Sequence, residues 1–331
     1  MRRSGADQGS GTRGTRETPT VIRDSAGRAI ADNAKRVLLV GWFSFLHGEA
    51  TAGDVLAWRA VCAELERAGI AHDTAWSPVF RPGGLILDAA RPEDYSDLVF
   101  VCGPLHGPQI AGLHERFRCC RRIAVGVSVL DPRDPAVTGF DTIIARDAPD
   151  VTSRLDLATG PAASASEVPV IGVALAHGQG EYGPARRHES VTERITAWLR
   201  EAGVAVVPLE TRLDSVDWTL AARPEQLISV VRRLDAIVTT RLHGLVLGLA
   251  NRVPVLAVDP VAGGGKVAAQ AAAWRWPALL PAQQARNAAL QESLDWCLSA
   301  LGRERAGLLA QQAVAAAEAG SLAARIGARL S

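Results

Sequence analysis

The stretch Asp235–Lys266, DAIVTTRLHGLVLGLANRVPVLAVDPVAGGGK, decides the fold of the C-terminal half of this chain. It begins with an apolar run typical of a buried strand, Asp235–Thr240, and continues with the helical periodicity of Arg241–Asn251. A second buried run, Pro254–Val258, follows at once. A strand, a helix and a second strand in this order predict a βαβ unit, and therefore an α/β fold with a parallel sheet.

The same alternation continues in both directions from this stretch. Further strands are predicted at Arg36–Gly41, Leu98–Cys102, Ile123–Val129, Thr142–Ala145, Val168–Ala176 and Val204–Leu209, and further helices at Asp54–Ala68, Ser190–Ala202 and Pro224–Arg233. An Ala/Ser/Gly/Pro-rich segment at about 150–167 is typical of a linker. We predict a disordered tail (1–35), two Rossmann-like domains facing a cleft (36–155 and 156–300), and a C-terminal helical segment (301–331).

Composition limits the classes of partner. The 331 residues include 36 Lys+Arg and 35 Asp+Glu, a net charge of +1, which argues against a nucleic-acid-binding surface. Lys35 and Lys266 are the only lysines. Five cysteines without a CxxC pair fit neither a disulfide framework nor a zinc ribbon. The first 35 residues contain no apolar leader and no run is long enough to span a membrane, so we expect a cytoplasmic protein.

The start of the predicted Arg241–Asn251 helix is the best candidate for a binding site. The preceding strand brings Thr239 and Thr240 to this point, where a threonine hydroxyl can cap free N–H groups. A helix N-terminus attracts anions, and Arg241 and His243 in the first turn would add a cationic fork and an imidazole. Gly244 and Gly248 would admit a ligand or another backbone. Alternatively, Arg241 pairs with a neighbouring carboxylate and His243 is a buried histidine with its hydrogen bonds satisfied.

The motif T-R-L-H-G-x₃-G-L-A-N-x-V-P-V-x-A-V-D-P, followed by glycines and Lys266, resembles the signature of the polysaccharide pyruvyl transferases. Gly53-Asp54 at a predicted helix start and Arg146-Asp147 after a predicted strand resemble two further family features. Two departures lie in the N-terminal half: Thr51-Ala52 where an Asn commonly precedes Gly-Asp, and Cys102-Gly103-Pro104 where the family has three glycines. The departures concern the acceptor more than the reaction.

The resemblance implies a fold like that of two-domain, B-type glycosyltransferases. It also implies transfer of the pyruvyl group of phosphoenolpyruvate to a sugar as a ketal, with release of phosphate and without a metal or an organic cofactor. The acceptor would be a sugar or a lipid-linked glycan, as a precursor of the cell envelope or of an exopolysaccharide. A lipid-linked acceptor would bring the protein close to a membrane surface.

Site residues are carried over by position. The resemblance implies donor binding by Thr240, Arg241, Leu242, Gly244 and Lys266, catalysis by His243 and Asp54, and acceptor-side roles for His47, Glu49 and His177. Whether His243 binds the donor or protonates it stays open. Lys266 is alternatively a solvated lysine on a Gly-rich loop, and Asp54 a plain helix N-cap. His72, His114 and His188 have no supporting context, and we expect them at the surface.

Two other functions fit the same pattern. The first is a glycosyltransferase with a nucleotide-sugar donor, but such enzymes commonly hold the donor ribose with a carboxylate near this helix. The Arg241–Asn251 helix contains no Asp or Glu. The second is a non-catalytic protein of this fold that binds an anion or a glycan.

Overall fold

The computed structural model describes residues 22–23, 29–30, 36–46, 48–149, 151–160, 168–320, 326 and 329–330. The chain divides into two compact units, Met1–Ser164 and Ala165–Ser331, so the division falls inside the predicted linker. The predicted disordered tail lies outside the described residues, except for Ile22–Arg23 and Ala29–Ile30, which form a short antiparallel pair. The predicted domain limits and the cleft between the domains stay predictions.

The first unit is built on one parallel sheet. Its strands are β1 (Arg36–Val40), β2 (Ala71–Thr74), β3 (Asp97–Val101), β4 (Arg121–Ser128) and β5 (Thr142–Asp147), and its helices are α1 (Ala52–Arg67), α2 (Pro108–Arg116) and α3 (Pro135–Thr138). The strand order is β2-β1-β3-β4-β5. Leu38, Leu98 and Phe100 are fully buried because helices or loops cover both faces of the central strands.

The second unit repeats this plan. Its strands are β6 (Val170–Ala174), β7 (Ala205–Pro208), β8 (Ala236–Thr239), β9 (Val255–Asp259) and β10 (Leu279–Pro281), in the order β10-β9-β8-β6-β7 and all parallel. Its helices are α4 (His188–Leu199), α5 (Pro224–Val231), α6 (Leu242–Ala250), α7 (Lys266–Trp274), α8 (Asn287–Leu298) and α9 (Ala300–Gly320). The predicted fold class, two parallel-sheet α/β units followed by C-terminal helices, is confirmed.

Helix α6 lies tightly against the sheet. Leu245 and Leu249 are buried in the core, as the periodicity predicts, and a Cβ atom on Gly248 would collide with Val255 of β9. The glycine is therefore required for the close approach of helix and strand. Of the two alternatives stated for Gly248, a ligand or another part of the chain, the structure contains the second.

Several elements differ from the expectations. The sequence pattern misses β2, β10, α2, α3 and α7, and α7 begins at Lys266, where a loop was expected. His114 and His188 are buried rather than at the surface. The last two helices are separated at Ser299, whose hydroxyl accepts a hydrogen bond from the Gly302 N–H (3.2 Å) at the start of α9. None of the described helices combines the length and the apolar character needed to cross a bilayer.

Candidate active site

Four neighbouring strands of the second unit bring the candidate residues together. In the order β9-β8-β6-β7, the chain passes from β6 to β7 on one side and then to β8 on the other side of β6. Ligands of open α/β sheets bind at such topological switch points, beyond the carboxyl ends of the strands. A cavity of about 230 Å³ lies there. It is lined by Ala176, His177, Gln179, Thr211, Thr240, Arg241, Leu242, His243 and Lys266. Of the residues predicted in this half of the chain, all but Gly244 line this cavity.

The N-terminus of α6 has no side-chain cap. The Thr239 hydroxyl donates to the Ala174 carbonyl oxygen (2.7 Å), and the Thr240 hydroxyl accepts from the Ala176 N–H (2.7 Å), so both hydroxyls tie strand ends together. The prediction that a threonine caps the helix is therefore wrong. The N–H groups of the first turn, at Leu242 through Gly244, have no acceptor within the helix and none from a capping side chain. Such a terminus is suited to an anion.

Gly244 has a packing role. A Cβ atom at this position would collide with the Thr239 side chain at the end of β8. The space that the sequence predicted for a ligand is thus filled by the strand.

Arg241 is paired with a carboxylate that the sequence reading missed. Its guanidinium binds both carboxylate oxygens of Glu210, one of them at 3.1 Å, and donates to the Thr211 hydroxyl (3.1 Å). Its Nε–H donates to the Leu175 carbonyl oxygen (2.9 Å). The alternative stated for Arg241, pairing with a neighbouring carboxylate, is what the structure contains. Because Glu210 follows the edge strand β7, only the strand order brings it to Arg241, and its place after an apolar run is the single sequence signal.

Lys266 lies in the first turn of α7, and its side chain lines the cavity. Its ammonium group donates to the Gln179 side-chain oxygen (2.5 Å) and lies 3.9 Å from Glu181. It also lies 5.8 Å from the centre of the Tyr182 ring. The side chain is 44% exposed, so it is fixed by partners from the segment after β6 while remaining accessible to a ligand.

Asp259 holds the loop that leads to Lys266. Its carboxylate is 2% exposed and accepts hydrogen bonds from the N–H groups of Val261 (2.9 Å), Gly265 (2.8 Å) and Ala268 (2.7 Å). These donors belong to both ends of the loop and to the first turn of α7. The sequence reading gave Asp259 no role, although an Asp directly after a buried strand and before glycines is a recognisable signal.

The two exposed imidazoles of the cavity are His177, after β6, and His243, in the first turn of α6. His243 is not the buried, satisfied histidine of the alternative interpretation. A third histidine of this unit, His188, is buried, and its ring stacks on the Tyr182 ring (ring centres 6.1 Å apart). Burial lowers the pKa of His188, and its Nδ1 atom has no hydrogen-bond partner among the described residues.

The candidate residues of the first unit are Asp54, Glu49 and His47. Thr51, and not Asp54, is the N-cap of α1, and the two residues form a reciprocal capping box. The Asp54 carboxylate accepts hydrogen bonds from the Thr51 N–H (3.1 Å) and the Thr51 hydroxyl (2.7 Å). The Thr51 hydroxyl in turn accepts one from the Asp54 N–H (3.2 Å). Burial, with a smaller effect of the Asp54 carboxylate, raises the pKa of the Cys102 thiol to about 11. Glu49 is exposed, and His47 lies outside the described residues.

Arg146 is held by three partners in the first unit. It donates to Asp147 (2.7 Å), Asp156 (2.5 Å) and the Ser128 hydroxyl (2.6 Å), which fixes the Arg-Asp pair after β5. Two carboxylates raise the pKa of this guanidinium. Within the described part of the chain, no group of three or more His, Cys, Asp or Glu side chains is arranged to hold a metal ion.

Comparison with solved structures gives only distant likenesses. Spinosyn rhamnosyltransferase SpnG complexed with thymidine diphosphate is 14% identical over 85% of this chain and 96% of its own, with a TM-score of 0.32. E. coli heptosyltransferase WaaC with ADP is 13% identical over 78% and 99%, with a TM-score of 0.24. UDP-GlcNAc 2-epimerase from Methanocaldococcus jannaschii is 10% identical over 80% and 93%, with a TM-score of 0.29. TM-scores this low establish neither a shared fold nor a shared function.

Comparison with the curated proteins gives no significant match. Among protein families, the model described as polysaccharide pyruvyl transferase matches residues 199–260. The matched segment runs from the end of α4 through β9 and includes Glu210, Arg241, His243 and Asp259. The family whose model matches this segment is the one that the sequence motif resembles, so the resemblance is confirmed over residues 199–260.

Proposed function

We propose that this protein transfers the pyruvyl group of phosphoenolpyruvate to two hydroxyls of a sugar as a ketal and releases phosphate. The single observation that carries the proposal is the small cavity at the switch point. There the uncapped N-terminus of α6, Arg241 and Lys266 surround a space next to two imidazoles. A compact donor with a phosphate and a carboxylate needs such a set of cationic groups and N–H donors.

The size of the cavity supports a small donor. Its volume of about 230 Å³ is below the roughly 300–1,000 Å³ typical of pockets for larger ligands. The charge of the cavity lining also supports specificity for this donor, because the Glu210 carboxylate neutralises much of the positive charge of the Arg241 guanidinium. The remaining positive groups are Lys266 and the N–H donors of the α6 N-terminus. We infer that these hold the phosphate, and that Arg241 keeps the geometry and contributes its last free N–H.

The reaction needs a proton donor and a proton acceptor. Addition of the first sugar hydroxyl forms the O–C2 bond while C3 takes a proton and becomes a methyl group, and the hydroxyl proton goes to a base. The second hydroxyl then forms its bond to C2 as the C2–O bond to phosphate breaks, and its proton leaves with the phosphate as hydrogen phosphate. His243 is the proposed donor of the C3 proton, and His177, which also lines the cavity, keeps the acceptor-side role that the resemblance implies. Asp54 is the proposed partner of an acceptor hydroxyl, with Glu49 and His47 as further acceptor-side candidates.

We propose a sugar or lipid-linked glycan of an envelope or exopolysaccharide precursor as the acceptor. The decisive experiment incubates the full chain with phosphoenolpyruvate and a panel of nucleotide-activated and lipid-linked sugars. Phosphate release and the mass gain of a pyruvyl ketal are measured together. Binding of UDP- or GDP-sugars without binding of phosphoenolpyruvate would instead identify the nucleotide-sugar glycosyltransferase. Binding without turnover on every acceptor would identify a non-catalytic protein.

Variants test the donor site. We expect Arg241→Ala and His243→Ala to abolish phosphate release, because the first removes the fixed fork and the second an imidazole at the cavity. Arg233→Ala is the matched control, since Arg233 is exposed on the same unit and donates to the Ser229 carbonyl oxygen. Near-wild-type turnover in either site variant would overturn the assignment of the donor site.

A further inference from the structure

Two neutral side chains of the donor cavity, Gln179 and Thr211, are each bound to one of its cations. Both side chains line the cavity and both residues are half-buried. The Gln179 side-chain oxygen accepts a hydrogen bond from the Lys266 ammonium group (2.5 Å). An ammonium group has donors and no acceptor, so the amide atom that faces it must be the oxygen. The lysine therefore fixes the orientation of the amide, and the NH₂ group of Gln179 points away from it.

The hydroxyl group of Thr211 is oriented in the same way. Its oxygen accepts a hydrogen bond from the Arg241 guanidinium (3.1 Å), which also has no acceptor, so the hydroxyl hydrogen is directed elsewhere. Neither the NH₂ group of Gln179 nor the O–H of Thr211 has an acceptor among the described residues. Each cation thus binds the oxygen of its neutral neighbour and leaves the N–H or O–H donors of that neighbour for a ligand.

The backbone of Gln179 is strained. Its φ of 64° and ψ of 52° lie in the left-handed region, which is uncommon for a residue other than glycine. The segment that follows it is held by the loop after β9, because the Arg187 N–H donates to the Pro260 carbonyl oxygen (2.8 Å). The Ala262 N–H donates in turn to the Ala185 carbonyl oxygen (2.8 Å). Strained residues that the surrounding structure holds in place are concentrated at ligand sites, and Gln179 fits that pattern.

The strand order places these donors beside the proposed phosphate site. Helix α6 begins after β8, Gln179 follows β6 and Thr211 follows β7, in the spatial order β8-β6-β7. Adjacent strands lie about 4.8 Å apart, so the sites at their ends are neighbours. The phosphate and the carboxylate of the proposed donor are both attached to C2, and they require two neighbouring anion sites. Lys266 and the N–H groups of α6 suit the more highly charged phosphate, and the neutral donors suit the carboxylate.

We propose, on the basis of the function proposed above, that Gln179 and Thr211 bind the carboxylate of the donor and determine the selectivity for it. An ionised carboxylate only accepts hydrogen bonds, and these two side chains offer it only donors. A phosphate ester without a carboxylate would leave the donors without a partner. A site built to form such hydrogen bonds discriminates against a ligand that lacks the matching group.

The test compares the binding of phosphoenolpyruvate and of methyl phosphate, which has no carboxylate, to the full chain by titration calorimetry. The wild type should prefer phosphoenolpyruvate. Thr211→Val keeps the shape of the side chain and Gln179→Met keeps its length, and each should lower this preference by about tenfold or more, as for one hydrogen bond to a charged group. Thr211→Ser keeps the hydroxyl and should keep the preference. Binding of methyl phosphate by the variants shows that the phosphate site is folded.

The outcomes separate this proposal from the proposed function. Gln311→Met, on α9 and outside the cavity lining, is the control and should bind both compounds like the wild type. An unchanged preference in Thr211→Val or in Gln179→Met, including an equal loss for both compounds, would overturn the carboxylate site and leave the proposed function standing. A wild type that binds phosphoenolpyruvate selectively but transfers it to no sugar would contradict the function and leave the carboxylate site standing. Equal binding of the two compounds by the wild type, or no binding of phosphoenolpyruvate, would also overturn the carboxylate site.

Discussion

The buried carboxylate of Asp259 should be required both for the stability of the second unit and for the placement of Lys266. In Asp259→Asn one oxygen is replaced by an NH₂ group. If the remaining oxygen keeps the bonds to Gly265 and Ala268, the NH₂ group faces the Val261 N–H, and two donors meet. The opposite orientation leaves two N–H groups without an acceptor. Neither rotamer restores the three bonds.

The magnitude follows from these bonds. Loss of the charge weakens each of the two retained bonds by about 1 kcal/mol, and a buried N–H left without an acceptor costs about 1–3 kcal/mol. The variant should therefore lose about 3–5 kcal/mol of unfolding free energy. At about 2–4 °C per kcal/mol for a unit of this size, the Tm of the second unit should fall by about 10 °C.

Two assays separate the local effect from the global one. Circular dichroism gives the Tm, and amide hydrogen exchange at Gly265 and Ala268 reports the loop directly. Exchange there should accelerate more than at buried amides of β8. The control is Asp295→Asn, because Asp295 is exposed on α8 and bonds only to Gln291 among the described residues. A loss below about 0.5 kcal/mol with unchanged exchange would refute the reasoning.

Three further predictions test other contacts. Gly248→Ala should lower the free energy of unfolding by about 1–3 kcal/mol, because the new methyl group collides with Val255. The control is Gly307→Ala on α9, where the methyl group meets open space and should stabilise the protein by up to about 1 kcal/mol. Thermal melts measure both variants. Burial lowers the pKa of His188 from 6.5, so the unfolded chain binds its proton first as pH falls. The contribution of the neutral His188 to stability is therefore complete above about pH 6.5 and is lost below it. His188→Phe should flatten the fall in Tm between pH 7 and 5. Asp54→Asn keeps an oxygen for the capping box and should lower turnover at least about 100-fold with little change in Tm; normal turnover would leave Asp54 a capping residue only.

The fold was largely readable from local pattern. Buried runs such as Asp235–Thr240 and Pro254–Val258 predict strands, because a parallel sheet covered on both faces needs continuous apolar residues. The stripe that includes Leu245 and Leu249 predicts α6 and its inward face. The missed helix at Lys266 follows GGG, a sequence without local helix preference. Asp259, seven residues earlier, supplies the acceptor at the start of that helix, and residue propensities do not record a partner at this distance.

The sequence by itself determined which residues stand at strand ends, and hence that Arg241, His243 and Lys266 lie at one edge of a sheet. Only the tertiary structure decided what each of them faces. The order β9-β8-β6-β7 brings Glu210 to Arg241 and Gln179 to Lys266. It also turns the two threonines at the end of β8, Thr239 and Thr240, toward the neighbouring strand instead of the helix. The physical reason is that strand order and the contacts across strands depend on packing between segments far apart in the chain, about which local periodicity carries no information.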